Sequence, residues 1–327
     1  MTRRPRSRRL DMEIGGWRLE IGGDLSIVIV NWNVRELLKR CLHSVLPIYQ
    51  FPNLPNIEVI VVDNASSDGS VAMVEEEFPQ VRLIANSENV GFTVGNNQGI
   101  AVSRGRYILL LNPDTEIVGD ALAKMVEYMD SYPQVGALGP QLLNPDGSIQ
   151  SSRRRSPTMT TAFVESTILQ QWFPHNRVTK HYYMADRPDD EVQEVDWVTG
   201  ACLLTRREAI EEVGLLDEGF FMYSEELDWC RRAKERGWKV IYLPTARVIH
   251  YGAQSSEQAK AFQYIQFQRS KVRYFRKHHG PWQGEILRLF ILATYLYQLI
   301  LEALKWLVGH KRPLRAERVK SYWQVLR

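Results

Sequence analysis

The sequence contains little cysteine, with only Cys41, Cys202 and Cys230 among 327 residues. The number is odd, the three residues are far apart, and no two of them form a Cys-x-x-Cys pair. A disulfide framework and a zinc site built from cysteine pairs are therefore not supported. A reducing cytosol is the expected compartment, since no apolar run of signal-peptide type precedes the first apolar stretch, LSIVIVNW.

The C-terminal region lacks an apolar run of membrane-spanning length. Its uncharged run, Leu289 to Leu301, has 13 residues, whereas a spanning helix needs roughly 20. At 100° per residue, about a third of the helix circumference is shared by Arg288, Thr294, Gln298, Glu302 and Lys305. We therefore predict an amphipathic helix in the membrane plane. The alternative is a helix packed on the protein's own surface or in a homodimer.

Net charge is also small, at +3, but it is unevenly distributed. Residues 1–9 carry five arginines, and residues 256–327 carry 14 Lys plus Arg against 4 Asp plus Glu, which leaves −12 for residues 10–255. We interpret residues 1–24 as a basic tail, 25–255 as the main domain and 256–327 as a basic helical extension. The basic ends, rather than the acidic body, are expected to contact a polyanion such as an anionic membrane surface. For the first nine residues alone, a solvated tail is an equal alternative.

Strand and helix patterns alternate along the first half of the chain. The apolar runs LSIVIVNW, IEVIVVDN, VRLIAN and RYILLLNPD predict strands, and the segments between them have helical spacing. This order predicts an α/β fold with a mostly parallel sheet and helices on both faces. Ligands of such sheets bind beyond the carboxyl ends of the strands, where this sequence has Asn31, Asp63, Asn89 and Asp114.

Neither a Walker A loop nor a G-x-G-x-x-G fingerprint is present. The loop NVGFTVGNNQG precedes a helix and could receive phosphate on its backbone N–H groups. Asp114, in NPDT, follows a very apolar strand and stands where a divalent metal on a diphosphate would need an acid. On these four residues alone, a strand-terminating Asx-turn is the favoured interpretation.

Six segments follow one another along the chain: SIVIVNWN, VVDNASSDGS, NVGFTVGNNQGI, YILLLNPDTEI, VTGACLLTRREAI and LLDEGFFMYSEELDWCRRAKERGW. In this order they resemble glycosyltransferase family 2, inverting nucleotide-sugar enzymes with the GT-A fold, and they look most like the bacterial rhamnosyltransferase branch. The resemblance covers roughly residues 25–280. It implies a donor half at 25–115 and an acceptor half at 116–255.

The resemblance implies a nucleotide site in the donor half. Asp63 resembles the acid that reads the imino N–H of a pyrimidine base, and Asp114 resembles the last acid of an Asp-x-Asp motif that holds Mg²⁺ or Mn²⁺ against the diphosphate. Asn112 stands where that motif begins with Asp. The predicted nucleotide-binding residues are Asn31, Asn33, Asp63, Asn64, Asn89, Gly91, Asn96 and Asn112.

In the acceptor half, the segment FFMYSEELDWCRR resembles the part of the family that carries the catalytic base. Ser224 is a predicted N-cap, and the helix dipole would favour Glu225 and Glu226 in the first turn. The resemblance implies that Glu226 takes the proton from the acceptor hydroxyl, and that Glu225 and Asp228 belong to the catalytic group. Asp228 could instead pair with Arg231 or Arg232. The predicted acceptor-side residues are Trp197, Thr199, Gly200, Ala201 and Trp229.

His250 follows an apolar strand in the segment ARVIHYGAQSS. A single histidine in such a place is usually a core residue, but the resemblance implies a histidine that faces the metal or the leaving diphosphate. A neutral imidazole would bind Mn²⁺, and a protonated one would stabilise a departing phosphate. We predict that His250 belongs to the metal site with Asp114.

These observations predict an inverting glycosyltransferase that is peripheral on the cytoplasmic face of the cell membrane. Its donor would be a dTDP- or UDP-linked sugar, with rhamnose as the first guess, and its acceptor a lipid-linked or polysaccharide hydroxyl. A nucleotidyltransferase would need a basic, Gly-rich loop near the start of the sheet, and NWNVREL is not one. A binding module that uses the basic ends is the non-enzymic alternative, although ordered acids at strand ends argue against nucleic acid.

Overall fold

A computed structural model describes residues 12–14, 17–19, 23–46, 57–165, 167–252, 260–309 and 311–326. The arginine-rich start of the predicted tail and the predicted boundary between residues 255 and 256 lie outside these ranges. The strands are β1 (Met12–Ile14), β2 (Trp17–Leu19), β3 (Gly23–Asn31), β4 (Ile57–Asp63), β5 (Arg82–Ala85), β6 (Gly105–Leu111), β7 (Thr115–Val118), β8 (Val135–Leu143), β9 (Ile149–Gln150), β10 (Arg153–Arg154), β11 (Gln193–Val195), β12 (Trp197–Val198), β13 (Cys202–Arg206) and β14 (Lys239–His250). The helices are α1 (Arg35–Val45), α2 (Ser70–Glu77), α3 (Phe92–Val102), α4 (Ala121–Ser131), α5 (Met159–Val164), α6 (Ile168–Trp172), α7 (Arg177–Tyr182), α8 (Arg207–Val213), α9 (Glu225–Glu235), α10 (Lys260–His279), α11 (Pro281–Leu307) and α12 (Arg312–Leu326).

The four apolar runs of the donor half form the strands β3 to β6. These strands pair in parallel in the order β6-β3-β4-β5, and the helices α1, α2 and α3 connect them. Asn31 and Asp63 are register partners at the ends of β3 and β4. The predicted parallel sheet is therefore present in this half, with its polar strand-end residues along one edge.

The acceptor half continues the same sheet but changes its direction. Strand β13 pairs antiparallel with both β6 and β8, whereas β14 pairs in parallel with β8. The whole order is β11-β14-β8-β13-β6-β3-β4-β5, with β7 on β14 and β9 on β8. The sheet is thus mixed, because Cys202 at the start of β13 lies opposite Leu111 at the end of β6. This arrangement brings the loop before β13 to the carboxyl edge of the donor strands.

Helices cover both faces of the sheet, as the pattern predicts. Along β3, Leu25, Ile27 and Ile29 point into one buried cluster with residues of α1, α2 and α4, whereas Val28 and Val30 point into the other. The second cluster includes buried residues of α8, α9, α10 and α11. Side chains alternate between the two faces of a strand, so these near-continuous apolar runs form a core on each side. All three cysteines are buried and free.

The C-terminal helices α10, α11 and α12 pack on the acceptor half and on one another. Helix α10 is tied to it by ion pairs of Lys277 with Asp217 and Asp228, and by the hydroxyl of Ser270, which donates to the carbonyl of Met222. The extension predicted from residue 256 is therefore continuous with the main domain. The reason is that α10 carries buried aromatic residues such as Tyr274 and Phe275 on the face that meets α9.

Helix α11 has two different faces. Gly284, Leu287, Ile291, Tyr295 and Glu302 are buried against neighbouring helices. Among the described residues α11 alone is long and apolar enough to cross a membrane by length and composition, and 22% of its most apolar stretch is buried. An exposed row, which we call the apolar stripe, consists of Ile286, Leu289, Leu296, Ile300, Leu304 and Leu307, each at least half exposed.

The charges and rings of α11 differ in part from the predicted pattern. Phe290, which lies outside the predicted polar part of the circumference, packs edge-on against Phe163 with the ring centroids 4.9 Å apart. Glu302, predicted on a solvated polar face, is buried and accepts a hydrogen bond of 2.6 Å from Arg315 of α12. The helix thus combines both interpretations that the sequence left open: one face packs on the protein itself and the other is exposed and apolar.

Candidate functional site

A cavity of about 330 Å³ lies at the carboxyl ends of β3 and β6 and extends to the start of α9. We call it the main cavity. It is lined by Val30, Asn31, Trp32, Asn64, Asn89, Phe92, Asn112, Pro113, Asp114, Thr199, Gly200, Ala201, Phe221, Met222, Tyr223, Glu225, Glu226, His250, Phe262 and Gln263. Residues predicted in both halves of the chain therefore meet in one place, as expected when strand ends share an edge of the sheet.

Asn31 and Asp63 form the innermost pair of the donor side. The amide of Asn31 donates to Asp63 Oδ2 at 2.8 Å, while Asp63 Oδ1 accepts from the backbone N–H of Ser66. Asp63 is 1% exposed and does not line the main cavity. In the described structure this acid fixes the Asn31 side chain and the loop after β4. The buried Asn31 Oδ1 has no hydrogen-bond partner and is the polar atom left for a ligand.

Of the remaining residues predicted on the donor side, some line the main cavity and others hold the loops that surround it. Asn64 and Asn89 line the cavity, whereas Asn33, Gly91 and Asn96 do not. Asn33 accepts from the backbone N–H of Ser67, and the amide of Asn96 donates to the carbonyl of Phe92. Asn64 is held by the carbonyl of Gly91 at 3.0 Å. Asn33, Gly91 and Asn96 therefore hold the loops whose other residues line the cavity.

Gly91 joins the two halves of the molecule at the start of α3. Its φ is +93°, and a Cβ there would lie 2.8 Å from the ring of Phe221, so only glycine fits. The N–H groups of Phe92 and Thr93 donate to the carbonyl of Phe221. The predicted phosphate-receiving loop thus already has these two donors in use. They hold the segment before Glu225 against the donor half instead.

Asp114, His250 and Asn112 face one another across the cavity. Asp114 Oδ1 and His250 Nε2 are 3.4 Å apart, and both side chains are mostly buried. His250 Nδ1 is 2.6 Å from Gln150 Oε1, which orients the ring, whereas His250 Nε2 and Asn112 Oδ1 are buried without a hydrogen-bond partner. Two orphaned acceptor positions beside a carboxylate fit a divalent cation that takes its other ligands from phosphate and water. No group of three or more His, Cys, Asp or Glu with metal-binding geometry occurs among the described residues.

Glu225 and Glu226 begin α9 as predicted, and the turn before them has an unusual backbone. Tyr223 and Ser224 both have positive φ, at 69° and 66°, a conformation that costs non-glycine residues energy and often occurs at functional sites. Ser224 occupies the N-cap position, but its side chain makes no capping hydrogen bond, unlike the prediction. The backbone turn, rather than the hydroxyl, sets the direction of the two acids.

Glu225 is buried, and Glu226 beside it is partly buried. Glu226 Oε1 accepts from the backbone N–H of Gly200 at 3.3 Å, while Glu226 Oε2 and Glu225 Oε2 have no partner among the described residues. Burial raises the pKa of Glu226, and burial together with the charge of Glu226 raises the pKa of Glu225 further. A carboxylate with a raised pKa and an unpartnered oxygen, on a residue that lines a cavity, has the properties of a general base.

Asp228 and Trp229 lie on the other sides of α9 and do not line the main cavity. Asp228 is fully buried and contacts His278 Nε2 at 2.7 Å, Lys277 Nζ at 2.7 Å and Arg232 Nε at 2.8 Å. Trp229 is a core residue whose indole N–H donates to the carbonyl of Gly214. The pairing of Asp228 with Arg232, which the sequence left open, is present, and both residues hold α9 in place.

A second cavity, of about 220 Å³, lies behind Glu226, and we call it the aromatic cavity. Trp197 lines it, Thr199 lines both cavities, and Gly200 and Ala201 line the main one. The sequence did not predict several residues that line these two cavities, because they come from α10 and from the arginine run at 153–155. Among them are Phe262 in the main cavity and Arg154, Phe267 and Lys271 in the aromatic one.

Comparison with known proteins finds a family and several relatives of similar sequence. The family model described as glycosyl transferase family 2 matches residues 26–214. An N-acetylglucosaminyl-diphospho-decaprenol L-rhamnosyltransferase of Mycobacterium tuberculosis is 29% identical over 275 residues, which span 81% of this chain and 88% of the relative. The rhamnosyltransferase WbbL of Escherichia coli K12 is 26% identical over 183 residues, 53% of this chain and 66% of the relative.

Solved structures include one of the same overall fold. The crystal structure of GalNAc-T7 with UDP, GalNAc and Mn²⁺ superposes with a TM-score of 0.51 at 16% identity, over 83% of this chain and 57% of that one. At this identity the similarity concerns the fold alone. It confirms the predicted GT-A fold, with a mixed sheet, covering helices and a C-terminal helical region.

Proposed function

The chain belongs to glycosyl transferase family 2, and on that premise we propose that this glycosyltransferase moves L-rhamnose from a pyrimidine nucleoside diphosphate to a hydroxyl of a lipid-linked saccharide. The names of the two bacterial relatives support rhamnose, and the name of the mycobacterial one supports a diphospho-polyprenol acceptor. The observation that carries the proposal is the free oxygen of Glu226 at the boundary between two cavities.

The main cavity would hold the donor. Asn31, Asn64 and Asn89 offer amide groups on the donor side, and Trp32 and Phe92 offer apolar surface. Such a mixture of apolar walls and a few fixed polar groups is typical of small-molecule sites. Asp63 would act on the base through Asn31 rather than directly, since it is 1% exposed and does not line the main cavity.

Asp114 and His250, with Asn112 beside them, would hold Mg²⁺ or Mn²⁺. The cation would supply positive charge next to the departing diphosphate. His250 Nδ1 lies against Gln150, which leaves Nε2 for the cation or for a phosphate oxygen. The departure from a complete Asp-x-Asp motif at Asn112 is compatible with this role, because an amide oxygen is also a ligand for hard cations.

The chemical step would be a single displacement. The acceptor hydroxyl attacks the anomeric carbon on the face opposite the diphosphate, its proton passes to Glu226 Oε2, and the bond to the phosphate oxygen breaks. Proton removal by a positioned base typically contributes 10²- to 10⁴-fold. Glu225 would keep a neutral, buried carboxyl beside the base, and Asp228 would position α9 without contacting the substrate.

We place the enzyme on the cytoplasmic surface of the membrane, through α11. The apolar stripe runs along a helix of 27 residues, about 40 Å at 1.5 Å per residue. Trp282 and Trp306 flank it, and Trp172 of α6 packs edge-on against Tyr297, which extends the apolar surface. Because the other face of α11 packs on α10 and α12, an in-plane orientation suits it better than a spanning one. A homodimer through the same stripe is the alternative.

Thermal shift measurements test the donor and metal assignments together. We expect dTDP or UDP to raise the unfolding temperature more than GDP does, and Mn²⁺ to add to the shift only when nucleotide is present. Asp114→Ala should abolish the Mn²⁺ increment while the nucleotide shift without metal remains. Absence of any nucleotide-dependent shift would contradict the proposed donor class, and an unchanged Mn²⁺ increment in Asp114→Ala would move the metal elsewhere.

A further inference from the structure

The aromatic cavity opens on the same base as the main cavity but from the other side. Thr199, Tyr223 and Glu226 line both cavities. The side-chain oxygens Thr199 Oγ1 and Glu226 Oε2 are buried and have no hydrogen-bond partner among the described residues. Two buried polar atoms without hydrogen bonds at a shared wall cost free energy unless a ligand supplies their partners.

The other walls of this cavity combine aromatic rings with an arginine, Arg154, that forms no ion pair in the described parts of the chain. Tyr182, Tyr183, Trp197 and Phe267 supply ring surface. The guanidinium of Arg154 stacks over Tyr183 at 4.5 Å from the ring centroid, and its described hydrogen bonds both start from Nη1. By contrast, the cavity's other cation, Lys271, is already paired with Glu165 at 3.1 Å.

Arg154 forms no ion pair with a carboxylate in the described parts of the chain, although the side chain is only partly exposed. Burial lowers the pKa of its guanidinium, and the nearby charges of Glu165 and Glu226 oppose this effect only in part. Its Nη1 donates to Ser151 Oγ and to the carbonyl of Arg153, which leaves Nε and Nη2 as donors. Guanidinium groups of this kind bind phosphate well.

We propose that the aromatic cavity binds the sugar phosphate end of the acceptor, with the sugar against the aromatic rings and its phosphate on Arg154. The inference rests on the proposed function and names the acceptor subsite. The acceptor hydroxyl then lies at the wall that Thr199 and Glu226 share, facing the donor. Aromatic rings offer flat apolar surfaces for the C–H face of a sugar, and Arg154 supplies the charge for the anion.

Helix α5 connects this cavity to the helix with the apolar stripe. Thr161 and Ala162 line the cavity, and the next residue, Phe163, packs against Phe290 of α11. An acceptor whose phosphate lies on Arg154 therefore has a path for an attached lipid along α5 toward α11. This continuity favours a membrane-bound sugar phosphate over a soluble one.

The test compares Arg154→Met with Arg155→Met in the full chain. Arg155 is the matched control because it is the neighbouring arginine but pairs with Asp186 outside both cavities. The acceptor is N-acetylglucosaminyl diphosphate on a short prenyl chain, and the competing ligands are N-acetylglucosamine 1-phosphate and a neutral octyl N-acetylglucosaminide. For Arg154→Met we expect KM for the acceptor to rise about 10- to 100-fold, with KM for the donor unchanged. The preference for the phosphorylated competitor should disappear, and Arg154→Lys should restore part of it.

Three results would overturn the subsite. The first is an unchanged acceptor KM in Arg154→Met, the second is no preference of the wild-type protein for the phosphorylated competitor, and the third is a parallel rise in donor KM, which would indicate a merely structural role. Failure of the proposed function looks different. In that case the wild-type protein would neither bind dTDP or UDP nor release nucleoside diphosphate from the sugar donor.

Discussion

At the scale of single residues, Glu226 is the side chain on which transfer depends most directly. It alone of the two adjacent glutamates lines both cavities, and its Oε2 has no partner within the described residues. We expect Glu226→Gln to lower kcat by 10²- to 10⁴-fold, because the amide cannot accept the proton. Donor KM and the unfolding temperature should change little, since the substitution keeps the shape and removes a charge from a buried pair.

The same residue predicts a pH dependence. The base must be ionised, and burial raises its pKa above the ordinary value of 4.5, so the acid limb of kcat should lie above that value. A pH profile of kcat measures this directly. Glu225→Gln is the matched control, and it should retain transfer to within about tenfold because Glu225 lines only the main cavity. A near-normal kcat for Glu226→Gln, or a larger loss for Glu225→Gln, would assign the base to another group.

The sequence predicted which residues reach the site better than it predicted what each one does there. Asn31, Asp114 and Glu226 were predicted from strand ends and from the family motifs, and they line the main cavity. The predicted contact of Asp63 with the base stays a prediction, and the sequence did not show that its carboxylate accepts hydrogen bonds from Asn31 and Ser66. Strand periodicity determines where a residue lies along the sheet edge, but side-chain partners depend on contacts between elements distant in sequence.

At the scale of elements, the link between α9 and α10 holds the base and the walls of both cavities together. Burial on its own would raise the pKa of Asp228, but hydrogen bonds from His278 and Lys277 and the pairing with Arg232 lower it to about 2. Removing one member of such a buried group is strongly destabilising. We therefore expect Asp228→Asn to lower the free energy of unfolding by up to roughly 3–5 kcal/mol at pH 7.

The pH dependence of this loss follows from the direction of the shift. A carboxylate whose pKa is lowered by folding stabilises the folded state above its ordinary value of 3.8, and that stabilisation disappears as the pH falls towards 2. Urea unfolding at several pH values should therefore show the difference between Asp228→Asn and wild type shrinking below about pH 5. Asp217→Asn is the control, because this acid pairs with the same helix from a partly exposed position and should cost only about 1 kcal/mol. Normal stability with lost kcat in Asp228→Asn would instead support a catalytic Asp228.

The elements of the donor half were predictable from local patterns, and their packing was not. Helical spacing indicated the helices between the four donor strands, and in the acceptor half Glu225 and Glu226 begin α9 as expected. The prediction separated the extension from the catalytic domain at residue 255 because charge and composition change there. Yet Phe262, Gln263 and Lys271 of α10 line the two cavities. A helix with basic residues on one face and Tyr274 and Phe275 on the other can be solvated or packed, and only the tertiary contacts decide between these.

At the scale of the whole molecule, the excess of positive charge and the apolar stripe lie in the same C-terminal region of the chain. The region from residue 256 onward carries +10 against −12 for residues 10–255, and the stripe lies in that region. Each Lys or Arg near an anionic leaflet contributes about 1 kcal/mol, and the exposed leucines add burial in the interface. The aromatic cavity would then be oriented toward the leaflet that supplies the acceptor.

The stripe can be tested without removing α11, whose deletion would also expose the buried surface around Leu287 and Ile291. Replacing Leu296, Ile300 and Leu304 with Gln should shift the protein from anionic liposomes to the supernatant in a sedimentation assay. Transfer to a lipid-linked acceptor should fall, while hydrolysis of the donor by water is spared.

The control replaces three exposed aliphatic residues elsewhere, Ile149, Val192 and Leu215, with Gln. High salt should weaken binding of the wild type in part, since a Debye length of about 8 Å screens exposed charges but not the apolar contact. If the wild-type protein stays in the supernatant at low salt and the stripe variant changes only its oligomeric state, the stripe is a subunit interface and the membrane assignment is wrong.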